Sequence, residues 1–203
     1  MKIDNLTNFG RRILPILTFF IACGLTCLLV WQWLAFGCLW WECVDSGIFE
    51  SQDIQIPREY FPDEAAYSNL GADRNTYGAK QYQAQNIFWG EHNNSSAILH
   101  VYRYPGISRA KRGFVTESRI LRELFDISSN QSDKLNYQSA SANQLFVGCG
   151  EELTPWGYKC AFVARYGEDL ISLNMTIDEQ MTLNDFVRII TYLDAVSAGR
   201  LGH

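Results

Sequence analysis

Twenty-nine consecutive residues, Ile13 through Trp41, carry no charged side chain, and no other feature constrains the chain as much. Wound as a helix, the run would extend about 43 Å at 1.5 Å per residue, beyond the ~30 Å hydrocarbon core of a bilayer. The apolar region of a cleaved signal peptide is shorter, about 7–15 residues, and ends at small residues. Nothing of that kind closes this run. The expectation is a retained transmembrane anchor over 13–41, a cytoplasmic amino terminus over 1–12, a linker and entry segment over 42–78, and an extracytoplasmic domain over 79–203.

Orientation follows from the flanks. Lys2, Arg11 and Arg12 oppose only Asp4 before the run, whereas Glu42 and Asp45 follow it. Basic flanks stay on the cytoplasmic side, so the amino terminus is expected inside and the bulk of the chain outside. Trp31, Trp33, Trp40 and Trp41 crowd the outer half, where an apolar ring with one N–H suits the headgroup boundary. Phe20-Ile21-Ala22-Cys23 is a weak lipoprotein pattern, because the residues after Cys23 stay apolar. At 100° per residue Cys23, Cys27 and Cys38 fall within about 60° of one another. Besides the lipid bilayer itself, this small-residue face is a candidate contact for a second transmembrane helix.

Beyond the anchor some 160 residues remain, enough for one cored domain. The chain carries −5 overall and about −6 in this region. A mildly acidic domain argues against general nucleic-acid or anionic-lipid binding. Asn-x-Ser/Thr triplets at Asn93, Asn94, Asn130 and Asn174 would accept glycans only in a eukaryotic secretory setting.

Residues 44–78 contain Gly47, Pro57, Pro62, Gly71 and Gly78 among polar residues, with Ile54, Ile56, Tyr60, Phe61 and Tyr67 able to lie over a domain. A weak period-two pattern begins near Lys80 and a stronger one covers Ala97, Leu99 and Val101. After Pro105-Gly106, Ser108 can cap a helix whose apolar stripe is Ala110, Phe114, Leu121, Leu124 and Phe125. Glu117 falls inside that stripe, against the pattern. Strands are expected at about 143–149, 159–166 and 169–175, joined by turns at Thr154-Pro155-Trp156-Gly157 and Tyr166-Gly167-Glu168-Asp169. A last helix opens with Thr182 and Asp185 at capping-box spacing and Met181 with Phe186 at staple spacing. The order implies an α+β domain: an antiparallel sheet of about five strands, one face covered by two helices.

No reaction motif appears. His92, His100 and His203 lack a Gly-x-Ser-x-Gly partner, and no phosphate loop, EF-hand, cofactor or metal pattern is present. Gly148-Cys149-Gly150 lacks the third glycine of a dinucleotide loop. Glu151/Glu152 and Asp178/Glu179 read as solvated loop acids, and His100 as a solvent-side or hydrogen-bonded sheet residue. The asymmetric feature is a basic arc on the first domain helix: Arg109, Arg112, Arg119 and Arg122, with Lys111 beside them. With the aromatic loop tip Trp156 it forms a candidate partner surface, the arc suiting either an acidic partner or lipid headgroups beside the anchor.

Cys149 and Cys160 carry the sharpest expectation. Antiparallel pairing of their strands places residues whose numbers sum to about 309 opposite one another, and non-hydrogen-bonded pairs approach to ~4.5 Å between Cα atoms. A disulfide accepts that spacing, would suit an oxidising compartment, and would brace the Trp156 loop. The functional expectation is a membrane-anchored extracytoplasmic domain acting as a non-catalytic accessory subunit or binding module. The alternative is a tethered hydrolase whose site no motif reveals.

Overall fold

The computed structural model describes residues 18–31, 47–48, 54–68, 78–127, 135, 137–151 and 157–201. The chain divides into two units, Met1–Val44 and Asp45–His203.

In the first unit, helix α1 occupies residues 18–31. Phe19, Phe20, Ile21, Leu25, Leu28, Val30 and Trp31 are all exposed large apolar side chains. Its one internal polar group is tied down, the Thr26 hydroxyl donating to the Ala22 carbonyl at 2.7 Å. Fourteen helical residues reach about 21 Å. Among the described residues no helix is long and apolar enough to cross a membrane. The rest of the uncharged run, with Trp33, Cys38, Trp40 and Trp41, lies outside the described residues.

The second unit is an α+β domain. Five long strands, β3 (Gln81–Trp89), β4 (Ser95–Arg103), β5 (Gln144–Glu151), β6 (Tyr158–Tyr166) and β7 (Asp169–Thr176), pair antiparallel in the order β3-β4-β7-β6-β5. Two short strands share the outer edge of β3. β1 (Gly47–Ile48) runs parallel opposite Gln81 and Tyr82, and β2 (Ala66–Ser68) runs antiparallel opposite Asn86, Ile87 and Phe88. Between them the entry segment is held by a side chain acting as backbone. Gln85 accepts from Ile56 N–H at 2.9 Å and donates to the Ile56 carbonyl at 3.2 Å. Such tight turns use the expected residues. Tyr166 and Asp169 close a two-residue hairpin with Gly167 at φ +60°, the conformation a first loop position of that kind demands.

Helix α2 (Ile107–Leu124) and helix α3 (Leu183–Leu201) cover opposite faces of this sheet. Odd-numbered residues of β4 and β7, Ala97, Leu99, Val101, Ile171, Leu173 and Met175, join Phe162 and Ala164 of β6 under Met181, Phe186, Ile189, Ile190 and Leu193. The entry residues Ile54, Ile56, Phe61 and Ala65 belong to that same core. On the other face Tyr82, Ala84, Tyr102, Ala161, Val163 and Leu170 meet Ala110, Leu121, Phe125 and Ile127. The expected two-layer packing, both helices on one face, is therefore corrected to three layers. The reason lies in β6 and β7, whose buried residues run almost without interruption. A strand covered on both sides has no polar alternation to show.

Two local expectations also change. Helix α2 begins at Ile107 with Gly106 as its N-cap, so Ser108 is an exposed residue within the first turn and caps nothing. The Gly106 carbonyl takes the first bonds, from Arg109 and Ala110 at 3.1 Å each. Leu124 is 43% exposed and lies outside the stripe assigned to it, while Phe125, one residue past the helix, is buried. The capping box of α3 forms as expected, Thr182 donating to Asp185 from both its N–H (3.0 Å) and its hydroxyl (2.7 Å).

Candidate functional site

The anomaly noted in the sequence, a glutamate within an apolar stripe, locates the most unusual chemistry of the domain. The α2 contact face is built of small residues, Ala110, Gly113 and Ser118, which lets the helix axis approach the sheet. Gly113 is required there: a Cβ would stand 2.5 Å from the buried Tyr104 ring carbon Cζ. Glu117 is carried down with this face and is 5% exposed. Beneath it His100 and Ser172 are directly paired across β4 and β7. The Ser172 hydroxyl donates to Glu117 Oε1 at 2.7 Å, and His100 Nδ1 stands 3.9 Å from the same oxygen. The His100 Nδ1 is also 3.2 Å from the Tyr102 hydroxyl, with the Tyr82 ring 5.7 Å from the imidazole.

Serine, histidine and a carboxylate thus converge, yet not as a nucleophile and its base. The serine proton is directed to the carboxylate and the hydroxyl is 1% exposed in mid-strand. A nucleophilic serine instead donates to an imidazole and faces substrate. The cluster works as a polar joint, in which a buried carboxyl is satisfied by groups that fix α2 against the sheet. His100 is the hydrogen-bonded sheet residue expected of it. Among the described residues no group of three His, Cys, Asp or Glu side chains could hold a metal ion.

The basic residues of α2 occupy its outer side. Lys111, Arg112, Arg119 and Arg122 are exposed and Arg109 is half-buried. Exposed Val115 and Ile107 stand among them. Arg122 lies over the Phe146 ring, 5.1 Å from its centroid. Trp156 lies outside the described residues.

Cys149 and Cys160 face each other across β5 and β6 and form a disulfide, with Cα atoms 4.0 Å apart. Both sulfur-bearing residues are buried on the α3 side of the sheet. The flanking glycines have a different task. A Cβ on Gly148 would stand 2.5 Å from Ile127 Cγ2 and one on Gly150 still closer to the Phe125 carbonyl oxygen. Their missing side chains let the chain leaving α2 lie directly on β5.

Two further carboxylates prove to be structural pins. Asp178, expected to be solvated, accepts from the Trp89 indole at 2.9 Å and the Ser95 hydroxyl at 2.6 Å, and from the backbone of Gln180 and Met181 at 2.8 Å each. Asp194 on α3 accepts from Tyr166 at 2.6 Å and from Ser139 at 2.5 Å. Burial and then the nearby Asp194 charge push the Tyr137 phenol up to about 12; the same two causes, with the Asp194 hydrogen bond, raise Tyr166 as well. The bonds that make each a pin leave no signal in sequence, because Asp178 meets Trp89 and Ser95 more than eighty positions away, and Asp194 meets Ser139 and Tyr166 at fifty-five and twenty-eight.

Comparison of the chain with protein-family models, with curated proteins and with solved structures finds no match.

Proposed function

We propose that the chain is a single-pass membrane protein whose residues 45–203 are carried outside the cytoplasm as a non-catalytic binding module or accessory subunit of a membrane complex. The observation that carries this reading is the Cys149–Cys160 disulfide. Cross-strand disulfides persist in oxidising compartments and are kept reduced in the cytosol. The uncharged run and its basic amino-terminal flank supply the tether and orientation. Seven large apolar side chains exposed on α1 favour an apolar environment around that helix. A tethered hydrolase would have to draw its nucleophile from elsewhere than Ser172.

The test is topological and chemical together. Protease added to intact cells should remove the carboxyl-terminal domain, and alkylation without reductant should leave Cys149 and Cys160 unlabelled. A protected domain with both thiols freely alkylated would reverse the assignment. Detergent extraction and native mass measurement then address the role. An accessory subunit co-purifies in stoichiometric ratio with a partner, and a strictly monomeric species counts against that role.

A further inference from the structure

The two ends of the sheet differ in charge, and the chain enters at one of them. Register places Gly47 beside Gln81, Gln81 beside Arg103, and Arg103 beside Asp169. The strand arriving from the first unit therefore lies at the end of the sheet where β4 gives way to α2. Lys80 precedes Gln81 there and is exposed. Helix α2 starts from the same end and leaves it: Gly113 lies against Tyr104, Glu117 above the mid-strand Ser172, and Phe125 against Gly150. Gly150 pairs with Lys159 and Lys159 with Thr176, the far row. The first half of α2, with Ile107, Arg109, Lys111 and Arg112, thus belongs to the entry end, and Arg119 and Arg122 to the second half. The entry end has acids of its own, Asp169 paired with Arg103 and the exposed Glu168 in the next turn, but Lys80, Arg109, Lys111 and Arg112 outnumber them. At the opposite end stand Glu91, Glu151, Asp178 and Glu179, with Lys159 the nearby base.

We infer that the entry end of the sheet, through Lys80, Arg109, Lys111 and Arg112 with Ile107 between them, rests on the anionic headgroups of the membrane that holds the anchor. This rests on the anchored reading above. The acidic balance of the whole domain argues against anionic lipid only while charge is averaged. Separated into two ends, the same charges form a dipole that turns its positive end toward an anionic surface. Ile107 is 51% exposed, an aliphatic side chain among cations, which suits a headgroup layer better than water. The tether makes the encounter intramolecular, so a modest attraction is enough to hold the domain down. Each Lys or Arg at such a surface favours contact by at most about fivefold, so two net charges at the entry end suffice for a bias on the order of tenfold.

The test uses the full chain reconstituted into vesicles of phosphatidylcholine alone or phosphatidylcholine with phosphatidylglycerol. A water-soluble amine-reactive ester is added, and labelling of Lys80 and Lys111 is followed by mass spectrometry. Labelling of both should be about tenfold slower, or more, on the anionic vesicles, and raised salt should restore it. Arg112→Glu should relieve the protection of Lys80, whereas Arg119→Glu, the same charge change in the far half, should leave it. Equal labelling on both vesicles overturns the inference while the anchor stands. Protection that persists on neutral vesicles also overturns it, and points to a bound protein in place of lipid. A chain that does not remain with either vesicle removes the anchor and the inference together.

Discussion

Ser172→Ala removes one oxygen, yet it should be among the costlier substitutions in the domain. The Glu117 carboxyl it serves is 5% exposed, and the lost hydroxyl is the donor 2.7 Å from Oε1. Leaving a buried polar group without its donor costs about 1–3 kcal/mol, well above the ~1 kcal/mol a typical hydrogen bond contributes net. The asymmetry also predicts the remedy. Glu117→Met alone strands the 1% exposed Ser172 hydroxyl and should cost about 1–2 kcal/mol. The double variant, with neither polar group, should return to within about 1 kcal/mol of the parent, because an apolar pair of similar volume has nothing left unsatisfied. In urea, with a slope of about 2 kcal/mol/M, Ser172→Ala should lower the unfolding midpoint by roughly 1 M. Near-ultraviolet circular dichroism in detergent follows the transition. A double variant whose loss equals the sum of the two single losses would refute the polar joint, since contacting residues should show a coupling of at least about 0.5 kcal/mol.

Gly113→Ala gains about 1 kcal/mol of helix propensity but presses a methyl into the buried Tyr104 ring, at about 1–3 kcal/mol; the net expectation is a lower melting temperature, and a higher one would show the ring yields. Tyr137, with its folded value raised to about 12, ionises more readily unfolded. Its contribution is whole below about 10 and falls as pH rises from there toward 12, so Tyr137→Phe should be less stable than the parent near neutrality and the gap should close in alkaline unfolding; a gap that stays constant across that range would refute the reasoning. For Asp185, burial acts to raise the carboxyl, but the Thr182 bonds and Arg188 together hold it below its ordinary value. The capping box therefore contributes above the unfolded carboxyl value and is lost as pH falls through the folded one. Thr182→Ala should cost about 1 kcal/mol near neutrality and progressively less in acid, and an equal loss at both would assign the effect to something other than the carboxylate.

The elements were legible in the sequence where they announce themselves locally. The strands expected at 143–149, 159–166 and 169–175 appear as Gln144–Glu151, Tyr158–Tyr166 and Asp169–Thr176, and the disulfide followed from their pairing together with the expected oxidising compartment. The short strands β1 and β2 were not legible, since two or three residues cannot display a period and they exist only because β3 offers an edge. The placement of α2 and α3 on opposite faces was hidden for the reason that makes β6 a good central strand: both its faces are buried. Glu117 is the instructive case. Its position in the stripe could be read, as a fault in the pattern, while the groups that make the fault tolerable come from β4 and β7, seventeen and fifty-five positions away. Gly148 and Gly150 were similarly visible as glycines, but the chain segment they admit was not.

The strand order carries a consequence for biosynthesis. β4 is made early, yet the partner on its inner edge is β7, and Arg103 waits for Asp169 across 66 positions of chain. At about 5–20 residues per second, that interval lasts roughly 3–13 s. Throughout it the edge bearing Ala97, Leu99 and Val101 has unpaired N–H and C=O groups and can take up a strand from another nascent molecule. The β5–β6 hairpin is complete before β7 is, so its disulfide can close ahead of the seam. A thiol oxidant acting on the emerging chain would thus lock the β5–β6 hairpin while β3 and β4 still wait for β7, and the yield of correctly paired domain should depend on how crowded the site of synthesis is.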